Sequence, residues 1–435
     1  MKKYFIITYG CQMNKSDSER IATFLERINL KPTKKMSEAN LILVNMCSVR
    51  QSAVDRVHGL APKLKKLKTK DSKLKTVLTG CVLKKDRGKL AKEFDSVLDI
   101  KDLSRWPKLF RTMRARQKTK KYFEIPPKYQ TRFSAFVPIM TGCNNFCAYC
   151  VVPYTRGREV SRPAREIIQE MKNLIRKDYK EIWLLGQNVN SYKDRKINFP
   201  KLLKMINDIK GNFWIRFTSP HPKDFSDELI RVMAKCQKVT PYLNLPAQSG
   251  DDEILKKMNR PYTIKHYQNL IKKIRTAFRK YRKGLEKDIS ISTDIIVGFP
   301  GETKKQFEST VKLLKKIKYD MAYIAKYSPR TDTAAAKLKD DVSPQEKEGR
   351  YKILTEILKE TALENNKKYL KKEAAVLIDT FKNNFYFGKT RSYKTVKISM
   401  LNSKRQILNT SLTGQFIKIK IIAISSWGLK GEFVK

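Results

Sequence analysis

Three observations predict an α/β fold for this chain of 435 residues. Residues 1 to about 105 alternate between strand-like and helix-like stretches, a pattern typical of a parallel sheet covered by helices. Residues 133–328 contain six strand-like runs separated by helical stretches, which predicts an open, partial (β/α)6 version of the (β/α)8 barrel. Residues 372–435 are rich in strand-like runs and predict a small β-barrel. The length suits two or three domains with cores of their own.

Strands and helices are expected to alternate in the first part of the chain. The expected strands are 3–8, 41–45 and 76–79, and the expected helices are 16–30, 52–68 and a third that begins near residue 86. Ser16 and Glu19 have the spacing of a capping box, so the first helix is expected to begin at Ser16. Residues 105–132 are basic, have few apolar runs and are expected to form a linker.

The central part carries the six strand-like runs, with helical stretches such as 164–177 and 304–317 between them. The runs are 135–140, 181–185, 213–218, 242–246, 289–297 and 321–327. In a barrel of this kind the active site lies at the carboxyl ends of the strands. Residues 343–371 are expected to form one long charged helix, with Ser343 as its N-cap and Pro344 in its first turn.

A triplet of cysteines directly follows the first central strand. Cys143, Cys147 and Cys150 form a C-x3-C-x2-C pattern, with Tyr149 immediately before the third cysteine. Soft thiolates on one short loop suit an iron-sulfur cluster, and three ligands around a four-iron cluster leave one iron without a protein ligand. The sequence therefore predicts a cluster that can bind a further molecule at its open iron.

A zinc site and a disulfide are the alternatives to a cluster. Zinc would need a fourth Cys or His at short spacing, and the nearest histidines, His58 and His221, are far away in sequence. Disulfides need an oxidising compartment and pair cysteines in even numbers, whereas this chain has seven cysteines. The odd count favours metal or redox chemistry in a reducing compartment.

Three further cysteines each follow a predicted strand. These are Cys11 after ITYG, Cys47 after LVNM and Cys81 after VLTG. Because the carboxyl ends of parallel strands meet at one edge of a sheet, the three thiols are expected to lie together and to bind a second cluster. Buried structural cysteines are the competing interpretation. The seventh cysteine, Cys236, is expected in the middle of a helix as a packing residue.

The charge of the chain predicts a polyanionic partner. Lys and Arg number 93 against 42 Asp and Glu, which gives a net charge of +51. A lysine-rich genome would usually raise glutamate as well, so nucleic acid is the better explanation. The chain contains no apolar run long enough to span a membrane, no amphipathic anchor and no signal-peptide pattern, so a cytoplasmic location without membrane contact is expected.

The last part of the chain carries both charge and aromatic side chains. Residues 372–435 contain 12 Lys and Arg against 3 Asp and Glu, net +9. The aromatic residues Phe385, Tyr386, Phe387 and Trp427 lie among the basic ones. A small basic barrel with stacking faces suits RNA binding.

The C-x3-C-x-aromatic-C loop around Cys147 resembles the signature of the radical S-adenosylmethionine (SAM) enzymes. In that superfamily the open iron chelates the amino and carboxylate groups of SAM, which gives the three loop cysteines a catalytic role. The resemblance also implies that Gly186, Gln187 and Asn188 contact the amino group of SAM, and that Tyr149 lies near its adenine.

Other loops at the same barrel edge are polar or rich in glycine. They are 186–192, 219–222, 246–252 and 297–303. Ordinary turns would have the same composition. The resemblance implies instead that these loops bind SAM and the substrate.

The motifs of the first three cysteines narrow the resemblance. TYGCQMNKSDSE, LVNMCSVR and TGCV are similar to the three motifs of the methylthiotransferase N-terminal domain. C-Q-M-N together with C-S-V-R is the form found in the tRNA-2-methylthio-N6-dimethylallyladenosine synthases. The branch that acts on ribosomal protein S12 usually has C-P-K-N, and the threonylcarbamoyl-adenosine branch has C-K-V-N.

The resemblance implies four parts: a methylthiotransferase domain (1–115), a radical SAM core (129–342), a connecting helix (343–371) and a TRAM-like RNA-binding domain (372–435). It implies two [4Fe-4S] clusters, two molecules of SAM and methylthiolation at carbon 2 of N6-isopentenyladenosine next to the anticodon of a tRNA. Carbon 2 is unactivated, so the reaction needs a radical. A flavodoxin or ferredoxin type electron donor and a monomeric state are also expected.

The chain departs from the family pattern at a few positions. Thr141 stands where arginine is common, Asn244 where histidine is frequent, and Thr331 and Asp332 where Pro-Gly is usual. Three alternatives stay open. They are a methylthiotransferase for N6-threonylcarbamoyladenosine in tRNA, one for ribosomal protein S12, and an RNA-binding iron-sulfur protein without catalysis.

Overall fold

A computed structural model describes residues 2–49, 51–106, 122–399 and 412–434. Arg50 of the C-S-V-R motif, residues 107–121 of the expected linker and residues 400–411 of the C-terminal part lie outside the described residues. The chain divides into two compact units. The first comprises Met1–Gln130, Phe136–Arg162 and Ser328–Lys337, and the second comprises Thr131–Ala135, Pro163–Tyr327 and Leu338–Lys435. The boundaries of the four expected parts stay a prediction.

The strands, labelled in chain order, are β1 (Lys3–Tyr9), β2 (Lys31–Pro32), β3 (Leu41–Cys47), β4 (Lys75–Cys81), β5 (Ser96–Val97), β6 (Ser134–Pro138), β7 (Met140–Thr141), β8 (Val160–Ser161), β9 (Glu181–Leu185), β10 (Lys193–Asp194), β11 (Ile197–Asn198), β12 (Trp214–Phe217), β13 (Tyr242–Asn244), β14 (Ser290–Val297), β15 (Met321–Lys326), β16 (Glu373–Lys382), β17 (Phe385–Thr390), β18 (Thr395–Ser399), β19 (Phe416–Ser425) and β20 (Gly428–Phe433). The α-helices are α1 (Gln12–Arg27), α2 (Gln51–Lys70), α3 (Lys84–Leu90), α4 (Val152–Arg156), α5 (Ala164–Arg176), α6 (Phe199–Asn207), α7 (Asp227–Lys235), α8 (Asp252–Lys257), α9 (Ile264–Tyr281), α10 (Lys304–Ile317) and α11 (Pro344–Lys367).

The first unit is built on the parallel sheet that the sequence predicts. Its strand order is β2-β1-β3-β4-β5, and every neighbouring pair is parallel. The central strand β3 is buried along its whole length, because helices cover both faces of the sheet. One core, which includes Ile21 and Trp106, packs α1 against the sheet, and a second, which includes Leu64, packs α2. The carboxyl ends of β1, β3 and β4 therefore lie side by side.

The start of α1 differs from the prediction. The helix begins at Gln12, and Cys11 is its N-cap, with the Asn14 side chain accepting a hydrogen bond from the Cys11 N–H at 3.3 Å. The capping box expected at Ser16 and Glu19 is wrong. Both residues are buried inside the helix, where the Ser16 hydroxyl accepts a hydrogen bond from Arg20 at 2.8 Å.

The second unit contains the strands of the partial barrel. They form two three-stranded sheets, ordered β12-β9-β6 and β13-β14-β15, and β6 enters this unit with its first two residues. All six predicted strands are present. The first ends at Pro138 rather than at residue 140, because Met140 and Thr141 pair antiparallel with Ser161 and Val160 in the first unit.

The C-terminal elements of the second unit also match the prediction. Helix α11 is capped by Ser343, whose side chain accepts a hydrogen bond from the Glu346 N–H at 3.1 Å. Strands β16 to β20 form a closed barrel in the order β16-β17-β18-β20-β19. Its core includes Val376, Ile398 and Ile421, all fully buried. No helix in the described part of the chain has both the length and the hydropathy that a membrane span requires.

Candidate active site

The three N-terminal cysteines meet at the carboxyl edge of the first sheet. Cys11 caps α1 directly after β1, while Cys47 and Cys81 are the last residues of β3 and β4 rather than residues of the following turns. The register pairs Cys47 with Cys81. The Cys47 thiol is close enough to Cys11 and to Cys81 for both to raise its pKa. The convergence expected from the topology is therefore present.

Gly80 permits the close approach of β3 and β4 at this point. Its φ is +105°, a backbone conformation that side chains rarely adopt. A Cβ at this position would lie 2.2 Å from the carbonyl oxygen of Met46. Any other residue would push β4 away from β3 and separate Cys81 from Cys47.

A buried polar network fixes α1 against the strand ends. The Asn14 amide donates to Asn45 Oδ1 and to the Met46 carbonyl, both at 3.0 Å. The Asn45 amide donates in return to the Asn14 carbonyl at 2.8 Å and to Ser18 Oγ at 2.9 Å. Because the network is fully buried, it holds Cys11 at a fixed place beside the other two thiols.

The surroundings favour negative charge on two of the three sulfurs, those of Cys11 and Cys81. The hydrogen bond from Cys47 lowers the pKa of Cys11 to about 6, with the Arg156 guanidinium and backbone N–H groups of α1 acting in the same direction. The same two neighbours, Cys47 and Arg156, lower the pKa of Cys81. The pKa of Cys47 is raised by its hydrogen bonds to the other two thiols. Iron binds thiolates, so this donor set fits a cluster.

Within residues 2–49, 51–106, 122–399 and 412–434, no group of three or more Cys, His, Asp and Glu side chains is arranged to hold a metal ion. Metal ligation by Cys11, Cys47 and Cys81, and by the second triplet, therefore stays a prediction.

The second triplet lies on a loop in the same unit. The Cys143 N–H donates to the Gly157 carbonyl at 3.2 Å, and the Cys150 N–H donates to the Cys147 carbonyl at 2.9 Å. Cys143 is buried, which raises the pKa of its thiol, whereas Cys147 and Cys150 are half-buried. The start of the loop is thus joined to residue 157, and a tight turn joins Cys147 to Cys150.

Aromatic and basic side chains surround this loop. The Arg158 guanidinium lies over the Phe146 ring, 4.4 Å from its centroid, and Phe146 also makes an edge contact with Tyr154. Tyr149 and Thr141 are half-buried. The role of Tyr149 beside the adenine of SAM stays a prediction.

Arg156 was not singled out by the sequence. It ends α4, which directly follows the cysteine loop, and its Nε donates to Cys81 Sγ at 3.1 Å. Its Nη2 forms an ion pair with Asp17 Oδ2 at 2.6 Å. An arginine in the otherwise uncharged helix VPYTR was the only local signal. Asp17 lies far away in sequence, and no local pattern indicated its contact with Arg156.

The predicted SAM loop belongs to the second unit, where it follows β9. Asn188 is 2% exposed, and its amide donates to Asp224 Oδ2 at 2.7 Å. Gln187 Oε1 and Asn188 Oδ1 are buried acceptors that have no hydrogen-bond partner among the described residues. Buried acceptors of this kind suit a ligand that brings donors, such as the amino group of SAM.

His221 contributes a buried donor from the next strand end. Its Nδ1 accepts a hydrogen bond from the Lys223 N–H at 3.2 Å, so the neutral ring carries its proton on Nε2. Nε2 also has no partner within the described residues. Burial, Arg260 and Lys223 lower the pKa of His221 to about 2. The backbone of His221 is fixed by two hydrogen bonds to the Asn190 side chain, at 2.8 and 2.9 Å.

Three positions depart from the family pattern or from the prediction. The Asn244 amide donates to Asp294 Oδ2 at 2.9 Å, and its Oδ1 accepts from Ser292 Oγ at 2.7 Å. Asp332, in the first unit, has a φ of +72°, a conformation that glycine would adopt more easily. Cys236 is not in the middle of a helix, as expected, but caps the carboxyl end of α7, where it is buried.

Two known families match the chain, each over a range that contains one of the cysteine triplets. Residues 137–314 match the radical SAM superfamily, and residues 3–100 match a family described as uncharacterized protein family UPF0004. A tRNA-2-methylthio-N(6)-dimethylallyladenosine synthase of Clostridium novyi (strain NT) is 40% identical over 100% of this chain and 97% of its own length. One of Thermoanaerobacter sp. (strain X514) is 40% identical over 99% of this chain and 93% of its own length.

Solved structures share the fold. The radical SAM methyltransferase TsrM of Kitasatospora setae superimposes with a TM-score of 0.53 at 13% identity, over 75% of this chain and 73% of its own. The cobalamin-dependent SAM radical enzyme OxsB superimposes with a TM-score of 0.52 at 9% identity, over 83% of this chain and 56% of its own. These likenesses show the fold alone.

The full-length identity to the curated relatives agrees with the motifs around Cys11, Cys47 and Cys147. The chain belongs to the family of the tRNA-2-methylthio-N(6)-dimethylallyladenosine synthases, within the radical SAM superfamily.

Proposed function

We propose that this chain is a tRNA methylthiotransferase that adds a methylthio group to carbon 2 of N6-isopentenyladenosine next to the anticodon. The observation that carries the proposal is the presence of two cysteine triplets in one compact unit. It is supported by the name of relatives that are 40% identical over the full length.

Each triplet has a separate proposed role. Cys143, Cys147 and Cys150 hold one [4Fe-4S] cluster, and the N-terminal triplet, Cys11, Cys47 and Cys81, holds another. When bound, the first cluster supplies the electron that cleaves SAM into methionine and a 5′-deoxyadenosyl radical, and the second carries the sulfur that another SAM methylates. The lowered pKa of Cys11 and Cys81 supports thiolates at the second site.

The chain's own polar groups orient SAM. Asn188 is held by Asp224 on one side, which leaves its Oδ1 to accept from the amino group. Gln187 Oε1 offers a second acceptor, and Gly186 joins both residues to the end of β9. His221 offers its Nε2 proton to an acceptor on the ligand, and remains neutral because burial depresses its pKa. Burial of these groups excludes water from the radical chemistry.

The remaining partners follow from the charge and from the reaction. The net charge of +51 suits a tRNA substrate, and the small basic barrel of β16 to β20 is the proposed RNA-binding element. A flavodoxin or ferredoxin type protein would supply the electron. We propose that the enzyme acts as a monomer in the cytoplasm, where its tRNA substrate is found.

Replacement of Cys11, Cys47 and Cys81 together by alanine tests the proposal. The variant should still release 5′-deoxyadenosine from SAM under dithionite but should form no methylthio-adenosine. Thermal unfolding on the same preparation provides the control, because a variant that fails to fold loses both activities. Retention of methylthio transfer would contradict the proposal, and so would loss of SAM cleavage in a folded variant.

A further inference from the structure

Arg156 connects the two cysteine-bearing segments within the first unit. It lies on α4, directly after the Cys150 loop, and its Nε donates to the sulfur of Cys81 at 3.1 Å. Arg156 is 5% exposed, so this hydrogen bond is shielded from water. A guanidinium that follows one cluster loop thus contacts a proposed ligand of the other cluster.

Asp17 fixes the direction of the guanidinium. Its two carboxylate oxygens accept from Nη2 at 2.6 Å and from Nη1 at 3.5 Å, which leaves Nε–H free for Cys81. The Tyr122 hydroxyl donates to Asp17 Oδ1 and so orients the carboxylate. Asp17 is fully buried on α1, the helix that begins at Gln12, next to Cys11.

Fold stability does not by itself explain this arrangement. A buried ion pair is often no more stabilising than apolar residues of the same size, because both charges lose their hydration. The ion pair here has a third member, the sulfur of Cys81. Hydrogen bonds and charges next to a ligand sulfur change how readily an iron-sulfur cluster accepts an electron.

We propose that Arg156 is a positioning residue for the auxiliary cluster, the one held by Cys11, Cys47 and Cys81. Arg156 hydrogen-bonds to the sulfur of Cys81 and thereby raises the reduction potential of that cluster. The proposal rests on the proposed function, since it requires a cluster on Cys11, Cys47 and Cys81. Reduction transfers one electron from the reductant to the cluster, and no bond is made or broken. The positive charge and the N–H donor stabilise the added electron.

Asp17 has the opposite effect on the potential. Its negative charge lies on the far side of the guanidinium and disfavours the added electron. Asp17→Asn keeps the shape and an acceptor for Arg156 but removes the charge, so it should raise the potential. If the two residues had only a structural role, their substitution would instead shift the reduction potential in the same direction.

The experiment uses the full chain with Cys143, Cys147 and Cys150 replaced by alanine, so that the auxiliary cluster alone is observed. Its reduction is followed by electron paramagnetic resonance during a potentiometric titration with dithionite. Asp17→Asn is compared with Asp17→Asn/Arg156→Gln, a pair in which neither member leaves an unpaired buried carboxylate. The double variant should be about tenfold harder to reduce, a shift of about 59 mV for one electron.

Arg158→Gln is the control, because Arg158 is an exposed arginine that lies over Phe146 in the same segment, and its replacement removes the same charge. It should leave the auxiliary potential unchanged. Equal potentials for Asp17→Asn and its double variant would overturn the inference, and so would an equal shift in Arg158→Gln. Absence of any cluster from the parent with Cys143, Cys147 and Cys150 replaced, shown by its iron content, would refute the proposed function itself.

Discussion

The guanidinium carbon of Arg216 lies 4.9 Å from the ring centroid of Tyr393. Arg216 also donates to the Arg391 carbonyl at 2.8 Å and to the Thr390 carbonyl at 2.9 Å, and its Nε pairs with Glu181 at 2.6 Å. Arg216 belongs to β12 of the partial barrel, and residues 390–393 lie at the turn between β17 and β18. One buried arginine therefore fastens the C-terminal barrel to the central strands within the second unit.

Tyr393→Ala should loosen this attachment. The Tyr393 ring also packs against Trp183 and Tyr242, with centroid distances of 5.1 and 4.7 Å. Removal of a packed aromatic ring costs roughly 3 kcal/mol of unfolding free energy, and thermal unfolding should show it. Trp427→Ala, at an aromatic residue that is 47% exposed on the same barrel, should change stability by about 0.5 kcal/mol or less. An equal loss of unfolding free energy in the two variants would contradict the role of Tyr393 in this attachment.

Acid should destabilise the protein through His221. Its pKa is about 2 in the folded state against an ordinary value of 6.5, so below pH 6.5 the unfolded chain binds a proton that the folded chain does not. Stability should therefore fall with decreasing pH, by roughly 1.4 kcal/mol per pH unit for this one group. The other two histidines, His58 and His266, are exposed.

His221→Gln provides the comparison for this pH dependence. Unfolding midpoints measured between pH 7 and pH 5 should fall more steeply in the natural sequence than in the variant. Parallel curves would show that His221 is not held neutral by its surroundings.

Much of the fold could be predicted because parallel strands buried on both faces are continuous apolar runs. Strand β9 contains such a run, Ile182 to Leu185, and all of its residues are buried. The start of α1 was wrong because Ser16 and Glu19 gave a local signal, whereas the true cap depends on Asn14, whose partner Asn45 is 31 residues away. Strand β6 ended early because Met140 pairs with Ser161, which no local pattern reveals.

Part of the candidate site could likewise be predicted from the sequence, and part could not. The meeting of Cys11, Cys47 and Cys81 follows from strand order alone, because parallel strands present their carboxyl ends at one edge. The contact between Arg156 and Asp17 joins residues 139 positions apart, and neither belongs to a spacing pattern that requires the other. Such a pair becomes visible only when the chain is folded.

The small basic barrel should contribute to tRNA binding. Deletion of residues 372–435 would expose the donors of Arg216, so charge-removing substitutions are a cleaner test. Lys418, Lys420 and Lys430 are exposed on β19 and β20. Their replacement by glutamine should weaken tRNA binding and reduce its dependence on salt. The logarithmic slope should fall by about 0.7 to 0.9 for each phosphate group that the variant no longer neutralises.

A second set of lysines is the control for this experiment. Lys204, Lys273 and Lys352 have exposed side chains on helices of the same unit. Their replacement by glutamine removes the same charge without touching the barrel. An equal decrease of affinity and salt dependence in the two triple variants would show that the barrel has no special part in tRNA binding.

The anaerobically reconstituted protein should bind about eight irons, because two cysteine triplets are each expected to hold a four-iron cluster. Replacement of Cys143, Cys147 and Cys150 by alanine should leave about half. Iron and acid-labile sulfide analysis measures both. Complete loss of iron in the triple variant would contradict two independent sites.

The central claim is tested most directly by the nucleosides of a tRNA that carries N6-isopentenyladenosine, after incubation with the reconstituted protein, SAM and dithionite. Mass spectrometry should show conversion of that nucleoside to its 2-methylthio derivative. A tRNA with N6-threonylcarbamoyladenosine, treated in parallel, should remain unchanged. Methylthiolation of the threonylcarbamoyl nucleoside in place of the isopentenyl one, or of neither while SAM is cleaved, would contradict the account.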